Sequence, residues 1–399
     1  MSLSPADLEV GDWGGEDLGP WRAEVAAWLA ANVPAGWRER MTGATEEEYV
    51  ALQREWFATL RAGGYAAPHW PAEWGGGGLS LARQIVLAEE LARARAPHIG
   101  LFHIGLYHAA ATVLHAGTDA QRAKYLPGIL DGEVWCQGFS EPGAGSDLAS
   151  LQTRARLDGD TYVVNGQKIW TTNAQHARWC LLLARTNPDA PKHRGISYFV
   201  LDMRASGLDV RPIATSLGEP EFCEVFLDDV MIHESDRIGA ENEGWAVILR
   251  TLAEERGPHV LENVERLRVA RATLYEQARA MDPDAAMLRE LGALHADTEV
   301  LRLLCHRMLA ELERAGGVGP QSSVVKVAYS ELLARVADLG LRVRGLDAQL
   351  ERPMTLGVHY ESTDWLVDYL NSWAWTISGG SNEIQRTIIA ERMLGLPRG

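Results

Sequence analysis

Residues 135–147 read WCQGFSEPGAGSD, and the character of the chain changes across them. Helical spacing of apolar residues precedes the string, and an alternating, strand-like pattern follows it. Gly143 and Gly145 flank Ala144 directly after Pro142, a combination that excludes a helix interior. Such a segment exposes backbone N–H groups to a polarised oxygen or to the edge of a planar ring. Ser140 and Ser146 add hydroxyls, while Cys136 and Phe139 give one wall an apolar lining. A lone Gly-Ala-Gly would be an ordinary turn entering a sheet, so the information lies in the whole string.

Upstream, Trp21, Val25, Trp28 and Leu29 recur at helical spacing. Residues 45–61 predict a second helix, with Tyr49, Leu52, Trp56 and Leu60 on one face and the Gly63-Gly64 pair ending it. The stretch 68–78, PHWPAEWGGGG, is irregular. Ser80 and Thr118 are N-cap candidates for two more helices, and an aromatic, histidine-rich apolar stretch lies between them at 99–114. Downstream, 153–157 and 162–164 flank Asp158-Gly159-Asp160, a hairpin signal, and Asn165-Gly166 predicts a second tight turn. Further strands are expected at 180–184, 196–201 and 224–227. Helices return over 244–279, 285–315, 322–344 and 363–375, with a last one from Glu383. The expected fold class is α+β: an N-terminal helical domain (1–134), a middle β domain (135–241) and a C-terminal helical domain (242–399).

With 399 residues, 46% hydrophobic and 23% charged, the chain can bury two or three cores and has the balance of a soluble protein. A formal charge of −16 and the lack of basic clusters exclude nucleic acid and anionic membrane surfaces as expected partners. Cys136, Cys180, Cys223 and Cys305 are scattered through apolar contexts without metal-ligand spacing, which predicts buried free thiols and no metal. The acidic N-terminus has no apolar signal region and no run reaches membrane-span length, so a cytoplasmic location is expected.

The 135–147 string resembles the flavin-contacting signature of the acyl-CoA dehydrogenases. Three other stretches resemble that family: GQKIWTTNA (166–174), FLDDVMIHESDRIGAENEGW (226–245) and ISGGSNEIQRTIIAERMLGLP (377–397). The α–β–α order matches the family's fold, with a β-barrel-like middle domain and a C-terminal helical bundle. The resemblance implies FAD as cofactor, held by Gln137, Phe139, Ser140, Gly145, Ser146, Trp170, Thr172, Ser381 and Glu383. Ser146, Arg256 and Gly380 would lie near an acyl-CoA substrate. The implied reaction is α,β-dehydrogenation of the thioester to a 2-enoyl-CoA: a carboxylate takes the α proton, the β hydrogen leaves as hydride to the flavin, and electrons pass on to electron-transfer flavoprotein. That carboxylate needs a pKa raised by desolvation, because the carbon acid is weak.

Many family members carry the base in the C-terminal loop, at the position held here by Gly379. A minority branch carries it on the first helix of the C-terminal domain, directly before an arginine. Here that pair is Glu255-Arg256, so the resemblance makes Glu255 the expected base. An ordinary solvated face would also read Glu254-Glu255-Arg256, but Ile248 and Leu252 lie seven and three residues back and put Glu255 on their apolar stripe. Two family elements that reach across a dimer to the neighbour's FAD are altered, at 280–284 and 342–346, although Arg342 or Arg344 could meet a phosphate. A dimer or tetramer is expected, homomeric or completed by a related chain. A non-catalytic flavin-binding partner subunit and an acyl-CoA oxidase are the alternatives.

Overall fold

The computed structural model describes residues 16–217, 221–254, 259–315, 317, 319–350, 353–354, 356 and 364–397. The helices in chain order are α1 (Gly19–Asn32), α2 (Trp37–Met41), α3 (Glu46–Ala62), α4 (Leu81–Arg93), α5 (Ala110–Ala116) and α6 (Asp119–Leu130). After the strands come α7 (Gly244–Glu254), α8 (His259–Arg279), α9 (Ala285–Ala315), α10 (Gln321–Arg344), α11 (Trp365–Ile377) and α12 (Asn382–Ile388). The strands are β1 (Trp135–Gly138), β2 (Arg154–Asp158), β3 (Thr161–Thr172), β4 (Trp179–Arg185), β5 (Ile196–Asp202), β6 (Leu208–Ile213), β7 (Phe222–His233) and β8 (Arg237–Ile238). Two compact units result, one from residues 53–77 and 99–255, the other from 1–52, 78–98 and 256–399.

The first unit holds a single sheet ordered β6-β7-β3-β2-β4-β5-β8, with β1 added parallel to β4. Cys136, Tyr162, Val164, Cys180, Leu182, Phe199, Cys223 and Val225 share its apolar core. β4 and β5 are apolar along nearly their whole length because both their faces are covered. The Asp158-Gly159-Asp160 hairpin forms as expected, joining β2 to β3 antiparallel. Asn165-Gly166 does not turn the chain, contrary to the sequence reading. It lies inside β3, at a shift in the register against β7. Pairing with β7 along the twelve-residue β3 overrides the local turn preference. A Cβ at Gly166 would stand 2.4 Å from the Thr153 hydroxyl, so close backbone approach, not a reversal, explains the glycine.

The second unit is a helical bundle around α8, α9 and α10, whose shared core includes Leu267, Leu274, Leu301, Leu309, Tyr329, Leu333 and Leu339. Within the helix expected over 244–279, Gly244–Glu254 (α7) and His259–Arg279 (α8) are helical, and the residues between them lie outside the described residues. Both predicted N-caps are present. The Ser80 hydroxyl accepts from the Arg83 N–H, and Thr118 with Gln121 forms a reciprocal capping box. The 99–114 stretch is helical but irregular, with a 3-10 turn (Gly100–Phe102) and a π-turn (Ile104–Ala109) leading into α5. All four cysteines are buried and none is in a disulfide.

Candidate functional site

In the first unit, the loop after β1 closes on itself by two reciprocal hydrogen bonds. Glu141 N–H donates to the Ala144 carbonyl (3.1 Å), and Ala144 N–H donates to the Glu141 carbonyl (3.0 Å). Pro142 and Gly143 form the exposed tip, and Gly145 and Ser146 continue it at the surface. A Cβ at Gly143 or Gly145 would meet nothing within 4 Å, so the backbone borders open space where a planar group can approach.

The loop is held from behind by a buried acid. Glu141 accepts from the backbone N–H of Gln152 (2.5 Å) and Thr153 (2.9 Å) and from the Lys168 ammonium (2.8 Å). Lys168 also donates to the Phe139 carbonyl (3.2 Å), and its side chain is 1% exposed. Burial alone would raise the Glu141 carboxyl, but the Lys168 charge and these hydrogen bonds outweigh it and hold the group below its ordinary value. On Lys168 burial is the larger influence and lowers the pKa. The pair therefore rests on the carboxylate, whose two backbone donors do not titrate. The family signature made the loop legible; Lys168 was missed, although a lysine set between apolar strand positions is itself a signal.

Beside the loop, β3 bulges. Lys168 pairs with Val225 and Thr171 with Cys223, so Ile169 and Trp170 together face a single residue of β7. Ile169 N–H donates to the Ser140 carbonyl (3.0 Å), which joins bulge and loop directly. Trp170 sits at φ +59° and is 58% exposed, with Phe222 edge-on at 6.0 Å. A bulky residue in the left-handed region costs about 1–3 kcal/mol, and an exposed indole recovers little of that by burial. Next to it, the Thr171 hydroxyl is buried without a partner, while Thr172 is half-buried. Gln137 at the end of β1, Phe139, Ser140, Gly145 and Ser146 in the loop after it, and Trp170 and Thr172 at the adjoining bulge thus belong to neighbouring pieces of one sheet. A flat aromatic face beside bare backbone and hydroxyls fits the isoalloxazine ring of FAD.

In the second unit, Gly379 (φ +63°) and Gly380 (φ +86°) turn the chain into α12. The buried Gln385 amide donates to both their carbonyls, at 2.9 and 3.3 Å, and locks that turn. Ser381 caps α12 by accepting from the Ile384 N–H. Asn382 is buried and accepts from Lys326 (2.7 Å) and Ser330 (3.1 Å). Glu383 is exposed, and its own backbone N–H and the Ser381 hydroxyl lower its carboxyl pKa. The left-handed φ of Gly379 would strain a glutamate there. Glu255 and Arg256 lie outside the described residues.

Both arginines considered for a phosphate are bound to acids. Arg342 donates to Glu290 (3.0 Å) and Asp338 (3.1 Å), and Arg344 to Asp364 (3.2 Å). Asp284, in the altered loop, accepts from Ala286 and Met287 N–H and caps α9. Among the described residues no group of three His, Cys, Asp or Glu is arranged to hold a metal, and no helix is long and apolar enough to cross a membrane.

Three family profiles cover most of the chain: the acyl-CoA dehydrogenase N-terminal domain matches residues 16–133, the middle domain 136–230 and the C-terminal domain 242–394. The acyl-CoA dehydrogenase IpdE1 of Mycobacterium tuberculosis is 40% identical over 96% of this chain and 99% of its own. Among solved structures, the Tcur3481-Tcur3483 steroid ACAD superposes with a TM-score of 0.83 at 31% identity, covering 96% of this chain and 98% of that one. The ChsE4-ChsE5 complex from Mycobacterium tuberculosis gives 0.80 at 29% identity over the full length of both chains. The chain belongs to the acyl-CoA dehydrogenase family, a flavoprotein oxidoreductase with FAD as its cofactor and acyl-CoA as the class of compound it oxidises.

Proposed function

We propose that the chain dehydrogenates the α,β bond of a bulky, ring-bearing acyl-CoA with Glu255 as base, and that its electrons pass to electron-transfer flavoprotein. The observation that carries this reading is the exposed, left-handed Trp170 joined through Ile169 to the 139–146 loop. Such strain at a surface indole has a physical rationale when a planar ring covers it. FAD held by the 139–146 loop and Trp170 would supply the acceptor for the β hydrogen and its electron pair. The Glu255 carboxylate receives the α proton, and the electrons of that C–H bond close the new double bond. The buried Thr112–Thr251 pair (2.5 Å) fixes α7, the helix that leads to Glu255. The left-handed Gly379 supports a base outside the C-terminal loop. The steroid enzyme among the similar structures supports a ring-bearing acyl group, and the two-protein complexes support an oligomer completed by a related chain.

Glu255→Gln keeps the side chain's shape and removes its basicity. It is expected to leave FAD bound while anaerobic flavin reduction by acyl-CoA falls by roughly 10²–10⁴-fold. An unchanged rate in a folded, yellow variant ends the assignment of Glu255. A panel of thioesters on the wild type reads the acyl preference, and peroxide formation in air without electron-transfer flavoprotein would mark an oxidase.

A further inference from the structure

The stretch 99–114 and the loop 68–78 stand out in the sequence, and apart from Thr112 they have no part in the reading above. The structure brings them together beside β1. Trp70 donates its indole N–H to the Leu106 carbonyl (3.0 Å), inside the π-turn at Ile104–Ala109. His69 stacks on Tyr107 at 4.8 Å, and His103 stands edge-on to His108 at 5.5 Å. The π-turn carries His108 inward, where it is 2% exposed and its Nδ1 lies 2.6 Å from Oε1 of Gln137. π-turns recur at functional positions, since an extra residue in one turn re-aims a side chain.

Core stability does not explain an imidazole at this position. Nε2 of His108 is buried without a hydrogen-bond partner. Leaving such a nitrogen unpaired costs about 1–3 kcal/mol, which an apolar side chain of similar volume would avoid. What the imidazole does provide is the contact to Gln137. An amide oxygen can only accept, so Nδ1–H donates to it, and the amide NH2 is left free to face away from the ring. Gln137 is half-buried on β1, one residue before Gly138 and two before Phe139, where the loop begins.

We infer that His108 is a positioning residue of the flavin site: by fixing the Gln137 amide oxygen it presents the amide NH2 as a donor to the FAD held by the β1 loop. A flavin's pyrimidine edge carries carbonyl and ring-nitrogen acceptors, the complement of that donor. The inference rests on the assignment of Gln137 to the flavin site.

The test is a double-mutant cycle on the whole protein, read as the FAD dissociation constant of reconstituted apoprotein and as the visible spectrum of the bound flavin. His108→Leu and Gln137→Leu are each expected to weaken FAD binding by about 5- to 100-fold, the size of one lost hydrogen bond in a buried site, and to shift the flavin bands. The double variant is expected to be no weaker than the worse single variant, because the two residues act through one contact. His108→Asn, which keeps a donor, is expected to recover part of the loss and serves in place of His108→Leu if that variant does not fold. Two outcomes overturn the inference and are distinguishable. An unchanged affinity and spectrum in Gln137→Leu removes Gln137 from the flavin site. Losses that multiply in the double variant, or a silent His108→Leu beside an impaired Gln137→Leu, leave Gln137 in the site and remove His108 from it.

Discussion

Glu141 shows how a single buried carboxylate builds a binding loop. Its two oxygens gather the backbone of residues 152–153 and the Lys168 ammonium, and the loop tip is free to meet a ligand because the base of the loop is fixed. A carboxyl whose folded pKa is depressed contributes stability that is complete above its unfolded value, near pH 4.3, and is lost as pH falls through the lower folded value. Glu141→Gln is therefore expected to weaken FAD retention at neutral pH and to flatten the acid limb of stability below about pH 4. Thermal melts and FAD release measured across the acid range check this, and an acid limb identical to wild type would show that the carboxylate is not what holds the loop. At this scale the sequence names candidates where a side chain is chemically specific, as at Trp170 and Ser146, both of which are exposed. It was silent on partners far along the chain: Glu141 meets Lys168 across 27 positions, and His108 meets Gln137 across 29.

Elements were legible where local chemistry decides them. Ser80 and Thr118 announce the starts of α4 and α6 because a hydroxyl one residue ahead of a helix satisfies its open N–H groups. Asn165-Gly166 misled for the opposite reason, since pairing with β7 on the far side of β3 fixed that backbone. Nor did spacing reveal what joins the helices of the second unit. Arg302 on α9 donates to Glu89 on α4 (3.0 Å) and to Glu265 on α8 (2.9 Å), and Arg22 on α1 also pairs with Glu89. Burial would raise the Glu89 carboxyl, but Arg22 and Arg302 hold it below its usual range. Arg302→Met leaves two buried acids short of a partner and is expected to cost up to about 3–5 kcal/mol. Arg335→Met removes the surface pair with Asp297 (2.7 Å) and is expected to cost less than about 1 kcal/mol. Denaturant unfolding of both variants separates the two cases, and equal losses would show that the buried network does not stabilise the bundle.

For the whole molecule, the order of helices, strands and helices identified the architecture, because a change of period from 3.6 to 2 and back survives many local misreadings. The grip on the far half of FAD was not legible, since residues 280–284 and 342–346 depart from the pattern the resemblance leads one to expect there. Arg342 and Arg344 are bound to carboxylates of their own chain, and the altered loop at 280–284 serves as the cap of α9. The account therefore predicts that a co-produced related chain raises FAD occupancy. Its central claim, that this chain's flavin site oxidises acyl-CoA, is tested most directly by anaerobic titration of the FAD-loaded protein with ring-bearing acyl-CoA thioesters, following the flavin's visible absorbance and the thioester product. The account predicts bleaching with one 2-enoyl-CoA formed for each FAD reduced. FAD that stays oxidised across the series, with the chain alone and with its related partner present, would contradict it.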